Sequence, residues 1–496
     1  MTSVKRNVIA NYLGGGWSAL MGLAFIPLYI RYLGMEAYGL IGVFAVLQAW
    51  LTLLDMGMTP TLNREMARYC AGAHTAQSIR DLLRSLEIIC LAMAAVIGSA
   101  IFLSASWLST RWLQAQQLPT DEVAHAISII GLVVALRFIE GLYRGAILGL
   151  QKQVWLNAIG SGLATLRWGG AVLVLIWVSR SIEAFFVWQG LVSLASISLF
   201  GFVVYRQLPK SGSAARFSLT ALKNIWRFAR GMLAITLLAL LLAQVDKLIL
   251  SRLLSLEMFG YYTLAGSVAA VLSQLAAPVS QAYYPRFTEV LTKGDSEALT
   301  GLYHQAAQLV SIMTIPAALM LVFFGENILF LWTGDALLAQ KVAPLLVLLA
   351  LGTLFNSLMH IPYMLTLAHA WPGFAVRSNL VAVILLVPAV LWATPRYGAL
   401  GAAWIWFILN AGYVLLGMHY LHRHLLKREK WHWYIRDLGL PAWVIILVAA
   451  SWLMHPGSLN TAGEIAWLLA SSAVALLGSA FAAPSLRAHL RMAFSR

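Results

Sequence analysis

The chain is 496 residues long, with AVILMFWYC residues at 60% and Asp, Glu, Lys and Arg together at only 11%, giving a mean hydropathy of +0.79. So few charges cannot cover a soluble surface and two cysteines cannot staple a small scaffold, so soluble, disordered, collagenous and disulfide-rich classes are excluded and an integral membrane protein remains. The formal net charge of +15 has no continuous basic soluble domain to carry it, which argues against a nucleic-acid partner and assigns the charge to loops beside a membrane.

A crossing needs about 20 apolar residues. In chain order the sequence predicts fourteen helical spans: 8–30, 39–61, 86–106, 125–149, 154–178, 184–204, 228–250, 259–283, 302–324, 342–367, 374–392, 399–421, 434–453 and 465–481. Lys5 and Arg6 precede the first span, but it is too long for a signal h-region and no A-x-A site follows, so it is expected to remain as an anchor. Gly14, Gly15, Gly16 and Pro27 mark that span as a helix able to bend. Cys70 falls in a basic segment and Cys90 in an apolar run, which argues against a structural disulfide.

With the N-terminus inside, 25 of the 34 Lys and Arg fall on the cytoplasmic side; Arg31, Arg111, Arg180, Lys247, Arg252, Lys341 and Arg396 fall opposite, and Arg137 and Arg167 fall inside the hydrocarbon. The bias alternates across every crossing, so both termini are expected in the cytoplasm. No outer loop exceeds about twenty residues, which leaves little room for an enzyme acting on lipid-linked sugars. Walker A, H-E-x-x-H, G-x-G-x-x-G and Cys/His metal spacings are not found in the sequence, so no metal or cofactor is expected beyond H⁺ or Na⁺ coupling. His419, His422, His424 and His432 read as solvated partners of anionic lipid headgroups. Trp107, Trp112, Trp431 and Trp433 read as interfacial belts, while Trp17, Trp50 and Trp168 are candidates for stacking on sugar rings.

An internal repeat follows the first and seventh spans. Arg31-Tyr32-Leu33-Gly34-Met35-Glu36-Ala37-Tyr38-Gly39 matches Arg252-Leu253-Leu254-Ser255-Leu256-Glu257-Met258-Phe259-Gly260 at a constant offset, with Arg, Leu, Glu and Gly shared. The match predicts two parallel six-helix repeats, an N-lobe at 1–220 and a C-lobe at 221–425, around a central cavity, with 426–496 as an appended helix pair and basic tail.

Spans four and five form a hairpin around Gln151 and Lys152, with Arg137 and Arg167 at similar depth, roughly 21 to 23 Å from the turn at 1.5 Å per residue. An arginine at mid-span costs at least about 2.5 to 3.5 kcal/mol, so each should face a wet cavity or a partner. Arg137, Glu140 and Arg144 share one helix face by their spacing. Glu140 reads either as the neutraliser of Arg137 or Arg144 in a packed salt bridge, or as insufficient for three guanidiniums, leaving a site for an anion. Arginine's planar fork makes a diphosphate the natural ligand. Asp55, Glu140 and Asp246 each admit a proton- or Na⁺-site reading and a local ion-pair or cap reading, and His360 in span ten admits a titrating and a structural reading.

Leu54-Asp55-Met56-Gly57-Met58 with Arg64 and Ala67-Arg68, Tyr143-Arg144-Gly145 with Gly149-Leu150-Gln151 and Asn157, Gln244-Val245-Asp246-Lys247-Leu248, and Tyr397-Gly398-Ala399 with Gly401-Ala402-Ala403 together resemble the polysaccharide transporter family, the Wzx-type flippases of O-antigen and related lipid-linked repeat units. The resemblance covers roughly residues 1–420. That family is similar in fold to MATE-type exporters and lipid II flippases of the MOP superfamily. It implies movement of an undecaprenyl-diphosphate-linked oligosaccharide to the periplasmic leaflet of a bacterial inner membrane by alternating access, beside assembly proteins such as a polymerase and a chain-length regulator. Arg137, Arg144 and Arg167 would then be headgroup ligands, with Asp246, Asp55 or Glu140 as coupling sites. A MATE-like small-molecule or cation antiporter is the rival reading; a cation would want carboxylates in its cavity.

Overall fold

The computed structural model describes residues 2–55, 57–70, 72–209, 213–219, 237, 240–241, 244–369, 371–457, 459–484 and 487. The protein is an all-α polytopic membrane protein: among the described residues the only β pairing is an isolated bridge between Gln114 and Ser255. Eleven helices there are long and apolar enough to cross a membrane, and Met35–Leu51 is a shorter apolar helix. Most of expected span seven lies outside the described residues, as do Lys210, Lys223, Arg227, Arg230, Arg491 and Arg496; 244–250 are helical.

The chain divides into two compact units, Met1–Gly260 and Tyr261–Arg496. In the first, α1 (Thr2–Ala24) gives way to α2 (Ile26–Leu33) at Phe25. The three consecutive glycines therefore sit inside a continuous helix, and the break falls at Phe25, with Pro27 in the first turn of α2, where its missing N–H is tolerated. What Gly14 provides is close packing, since a Cβ there would stand 2.4 Å from the side chain of Asn157.

Next come α3 (Met35–Leu54), α4 (Met58–Cys70), α5 (Ala76–Trp107), α6 (Thr120–Gly149), α7 (Gln153–Trp177) and α8 (Ile182–Gln207). Thr75 caps α5 by accepting from the Ser78 N–H, and Ser181 caps α8 through Ala184, each satisfying a donor that the helix start leaves open. α6 is the packing centre, with α3, α4, α5, α7 and α8 all against it. Its buried side includes Val123, Ile127, Ile130, Val134 and Leu142 at about helical spacing.

The two repeat copies begin helices in the same register: Met35 opens α3 and Leu256 opens α9 (Leu256–Thr292). They also touch reciprocally. A Cβ on Gly39 would lie 2.2 Å from the Leu256 carbonyl oxygen, and one on Gly260 would lie 2.8 Å from that of Met35. Glu36 holds the nearby 113–119 loop, accepting from the backbone N–H groups of Gln116, Gln117 and Leu118. Gln114 is tied to the second copy, its carbonyl accepting from the Leu256 N–H at 3.0 Å.

In the second unit α9 continues, followed by α10 (Ser296–Thr333), α11 (Ala336–Leu358), α12 (His360–Ala368), α13 (Pro372–Gly412) and α14 (Met418–His424). Expected spans eleven and twelve run on as α13, which breaks at Gly398 with φ 60°. His360 opens α12 at the Met359 corner rather than lying mid-helix. The C-terminal pair comprises α15 (Lys430–His432), a π-helical stretch Trp433–Gly439, α16 (Leu440–Ala442), α17 (Ile445–Leu453) and α18 (Thr461–Ala482). It packs along α10. At one end Asn327 donates to Glu464 at 2.7 Å, and Glu464 also pairs with His455 at 2.9 Å.

Two expectations are corrected here. Trp433 is fully buried rather than at an interface, its ring beside those of His422 and Tyr434 in a π-helical stretch that packs on α10. His422 is likewise buried, with its Nε2 3.1 Å from the Tyr303 hydroxyl instead of facing lipid headgroups. Trp107 and Trp431 are exposed, as a belt requires.

Candidate functional site

The α6–α7 hairpin closes through Leu150, Gln151 and Lys152, with Gln151 in the left-handed region at φ 57°. Arg137 on α6 uses its two terminal nitrogens on amides from other helices. Nη1 donates to Gln48 on α3, and Nη2 donates to Gln189 on α8 at 2.9 Å. The guanidinium also stands 4.8 Å from the centroid of Phe44. These partners are neutral, so they orient the fork without cancelling its charge, and Arg137 makes no ion pair among the described residues. Its buried Nε has no partner.

Arg137 lines a cavity of about 350 Å³ together with Gln48, Asp55, Thr59 and Gly141. Asp55, at the α3–α4 break, accepts from the Thr59 N–H at 3.0 Å and from its hydroxyl at 2.8 Å. This is a helix-start cap, and the same carboxylate belongs to the wall that carries Arg137.

Glu140 is buried and accepts from two arginines: Arg144 Nη1 at 3.5 Å and Arg167 Nη2 at 3.0 Å. Arg167 also donates to the Ser196 hydroxyl on α8 at 3.2 Å. Arg144 is half-exposed, its guanidinium 5.5 Å from the Phe200 ring. The shared helix face therefore splits. Arg144 and Arg167 gather on Glu140, while Arg137 turns to the amides. Gln189 links the two groups, since its Nε2 donates to the Arg167 carbonyl at 3.4 Å. Asp246 is buried and pairs with the adjacent Lys247 at 3.5 Å.

Gln48, Gln189 and Ser196 were not among the expected site residues. Their signal in the sequence is a polar side chain inside an apolar span, which bonds across helices or faces a cavity. A further buried carboxylate, Glu87, accepts from the hydroxyls of Tyr143 at 2.9 Å and Tyr205 at 2.8 Å. Of the stacking candidates, Trp17 donates to Thr165 at 2.9 Å and stays exposed, while the Trp50 Nε1 is buried without a partner. The Trp168 carbonyl accepts from the Tyr29 hydroxyl at 2.5 Å.

Among relatives, a Shigella flexneri protein provisionally described as an O-antigen transporter is 20% identical over 406 residues, 82% of this chain and 94% of its own. Lipopolysaccharide biosynthesis protein WzxC of Escherichia coli K12 is 25% identical over 243 residues, 49% of this chain and 47% of its own. The fold is that of the lipid II flippase MurJ in an inward closed conformation, at a TM-score of 0.72 and 12% identity over 96% of this chain and 98% of MurJ. A MATE multidrug transporter of the MOP superfamily matches at 0.63 and 14% identity, over 82% of this chain and 94% of its own. Residues 4–291 match the family described as Polysaccharide biosynthesis protein, and this chain belongs to that family.

Proposed function

We propose that the protein is a flippase, not an enzyme, carrying an undecaprenyl-diphosphate-linked oligosaccharide repeat unit from the cytoplasmic to the periplasmic leaflet of a bacterial inner membrane by alternating access. The observation that carries this reading is Arg137: a cation inside a span, held by neutral amides, with one buried N–H unpartnered, on the wall of a cavity. A ligand bringing its own negative charge supplies what those amides do not. The family membership and the transport function named for the Shigella relative support the same reading.

A volume of about 350 Å³ suits a diphosphate head and not a string of sugars, so this cavity is proposed as a headgroup cradle. Arg137 is its first ligand. Arg144, outside the cradle wall but one helical turn beyond its Gly141 and half-exposed beside Glu140, is a second that can leave its weak partner. Arg167, bonded to Glu140 and Ser196, holds Glu140 in place. Asp55 on the same wall is the proposed coupling site: an ionised carboxylate there opposes an incoming diphosphate, and a bound proton or Na⁺ removes the opposition. A polyprenyl tail gains nothing by leaving hydrocarbon, so only the head needs enclosing. A membrane potential negative inside drives a head of charge −2 outward by about 4 to 5 kcal/mol per 100 mV if its full charge crosses the field.

The test replaces Arg137 with Gln in a strain whose only copy is the variant. Accumulation of lipid-linked repeat units on the cytoplasmic leaflet, at normal protein level, is expected. Wild-type translocation by that variant would overturn the cradle, and drug sensitivity of a deletion strain with normal polysaccharide export would favour a MATE-like antiporter.

A further inference from the structure

A second polar cluster lies in the other unit, where the C-terminal pair meets α10. His304 on α10 is buried, and its two ring nitrogens face two different carboxylates. Nδ1 is hydrogen-bonded to Asp437, and Nε2 stands 3.1 Å from Glu429 Oε2. That same Glu429 oxygen is 3.7 Å from His432 Nδ1. The His304 and His432 rings stack with centroids 4.1 Å apart. Donor atoms of His304, His432 and Asp437 all lie within 4.8 Å of one another.

We propose that His304 Nε2, His432 Nδ1 and the Glu429 carboxylate bind a divalent transition cation of the Zn²⁺ class, with Asp437 as a positioning residue. Bonds of about 2.0 Å to nitrogen or oxygen in a tetrahedron place neighbouring donors roughly 3.3 Å apart. The separations of 3.1 and 3.7 Å around the Glu429 oxygen bracket that spacing, and His432, 34% exposed, has to turn out of its stack on His304 for both imidazole lone pairs to meet one cation. Asp437 has the arrangement that commonly orients a metal-bound histidine, a carboxylate on the ring nitrogen facing away from the metal. It is fixed in turn, because Gln308 donates to its other oxygen at 2.8 Å.

Two features suit this cluster to a cation. A single imidazole can donate to both carboxylates only when it carries an extra proton, and a divalent cation on Nε2 replaces that proton. The approach is also graded: Asp437 is fully buried, whereas the His432 and Glu429 side chains are 34% and 29% exposed, which leaves an entry path. The π-helical stretch Trp433–Gly439 begins just after His432 and contains Asp437. Its wider turn narrows the angle between residues five apart, and such turns recur at functional sites. Arg428 and Lys430 flank Glu429 and Arg436 precedes Asp437; of these, Lys430 Nζ stands 3.1 Å from His419 Nδ1. This site rests on groups separate from the proposed cradle, and a cation there would staple the C-terminal pair to α10.

The test uses full-length protein without a polyhistidine tag, purified in detergent and titrated with Co²⁺. One equivalent with the visible absorption of a low-coordinate site, displaced by Zn²⁺, is expected. His432→Ala and Glu429→Gln should each weaken Co²⁺ binding at least tenfold while the protein stays monodisperse. Asp437→Asn should weaken it roughly 10- to 100-fold with the spectrum retained, and His419→Ala should leave it unchanged. Absence of Co²⁺ uptake by the wild type, or equal uptake by His432→Ala and Glu429→Gln, would overturn the proposal.

Discussion

Neutralising Glu140 gives the most direct probe of how the buried charges are balanced. Its contacts are unequal. The bond to Arg144 is long, 3.5 Å, and that arginine's side chain is 49% exposed, whereas the bond to Arg167 is 3.0 Å between side chains 7% and 13% exposed. An exposed pair at helical spacing contributes about 0.3 to 0.5 kcal/mol. Breaking a buried pair by removing one partner costs about 3 to 5 kcal/mol, because the other charge is left uncompensated. Arg144→Gln should therefore lower stability by less than about 1 kcal/mol, and Glu140→Gln by about 3 to 5 kcal/mol. Adding Arg167→Met to Glu140→Gln should recover most of that loss, since it removes the uncompensated buried charge that causes it. Thermal unfolding of the four proteins in one detergent, followed by loss of the monodisperse peak on size exclusion, ranks them. If Glu140→Gln is as mild as Arg144→Gln, or the double variant no better than Glu140→Gln alone, Arg167 does not depend on Glu140 and the balance described here is wrong.

Other outcomes follow from single contacts. Gly39→Ala should cost about 1 to 3 kcal/mol, because its Cβ meets the Leu256 carbonyl oxygen at 2.2 Å, while Gly266→Ala, where a Cβ meets nothing, should be neutral or slightly stabilising in the same melting assay. Asp55→Asn keeps an acceptor for Thr59 and should keep normal protein levels, yet translocation in that variant should no longer respond to the proton or Na⁺ gradient; a wild-type response would leave Asp55 as a cap alone. Asp55→Ala should add a loss of about 1 kcal/mol from the missing cap.

Much of the architecture was readable because it is local. Apolar length placed α6, α7 and α8 to within a few residues, and the polar Gln151-Lys152 pair marked the hairpin turn that the structure has. The site was only half readable. Helical spacing puts Glu140 within reach of both Arg137 and Arg144, and nothing in that spacing says which one it serves. The choice is made by Gln189 and Ser196, residues of a different helix, through contacts that depend on how α6, α7 and α8 pack. His304 and Asp437 are 133 positions apart, and the π-helical stretch breaks the 3.6-residue count that would predict which faces of 433–439 lie inward. Trp433 lies in that stretch, and His422 is buried by its long-range neighbours Tyr303 and Trp433, so both read as surface residues and are not.

The reciprocal approach of Gly39 to Leu256 and of Gly260 to Met35 carries a constraint on how these sequences can drift. Gly39 is crowded by the carbonyl of Leu256 and Gly260 by that of Met35, so neither can acquire even a methyl group unless the opposing backbone gives way. Side chains join the fit as well, since a Cβ on Gly39 would meet Leu256 Cδ1 at 3.1 Å and one on Gly260 would meet Met35 Sδ at 3.0 Å. Variation at one copy of the repeat is then answerable to the other, across more than two hundred residues of intervening chain.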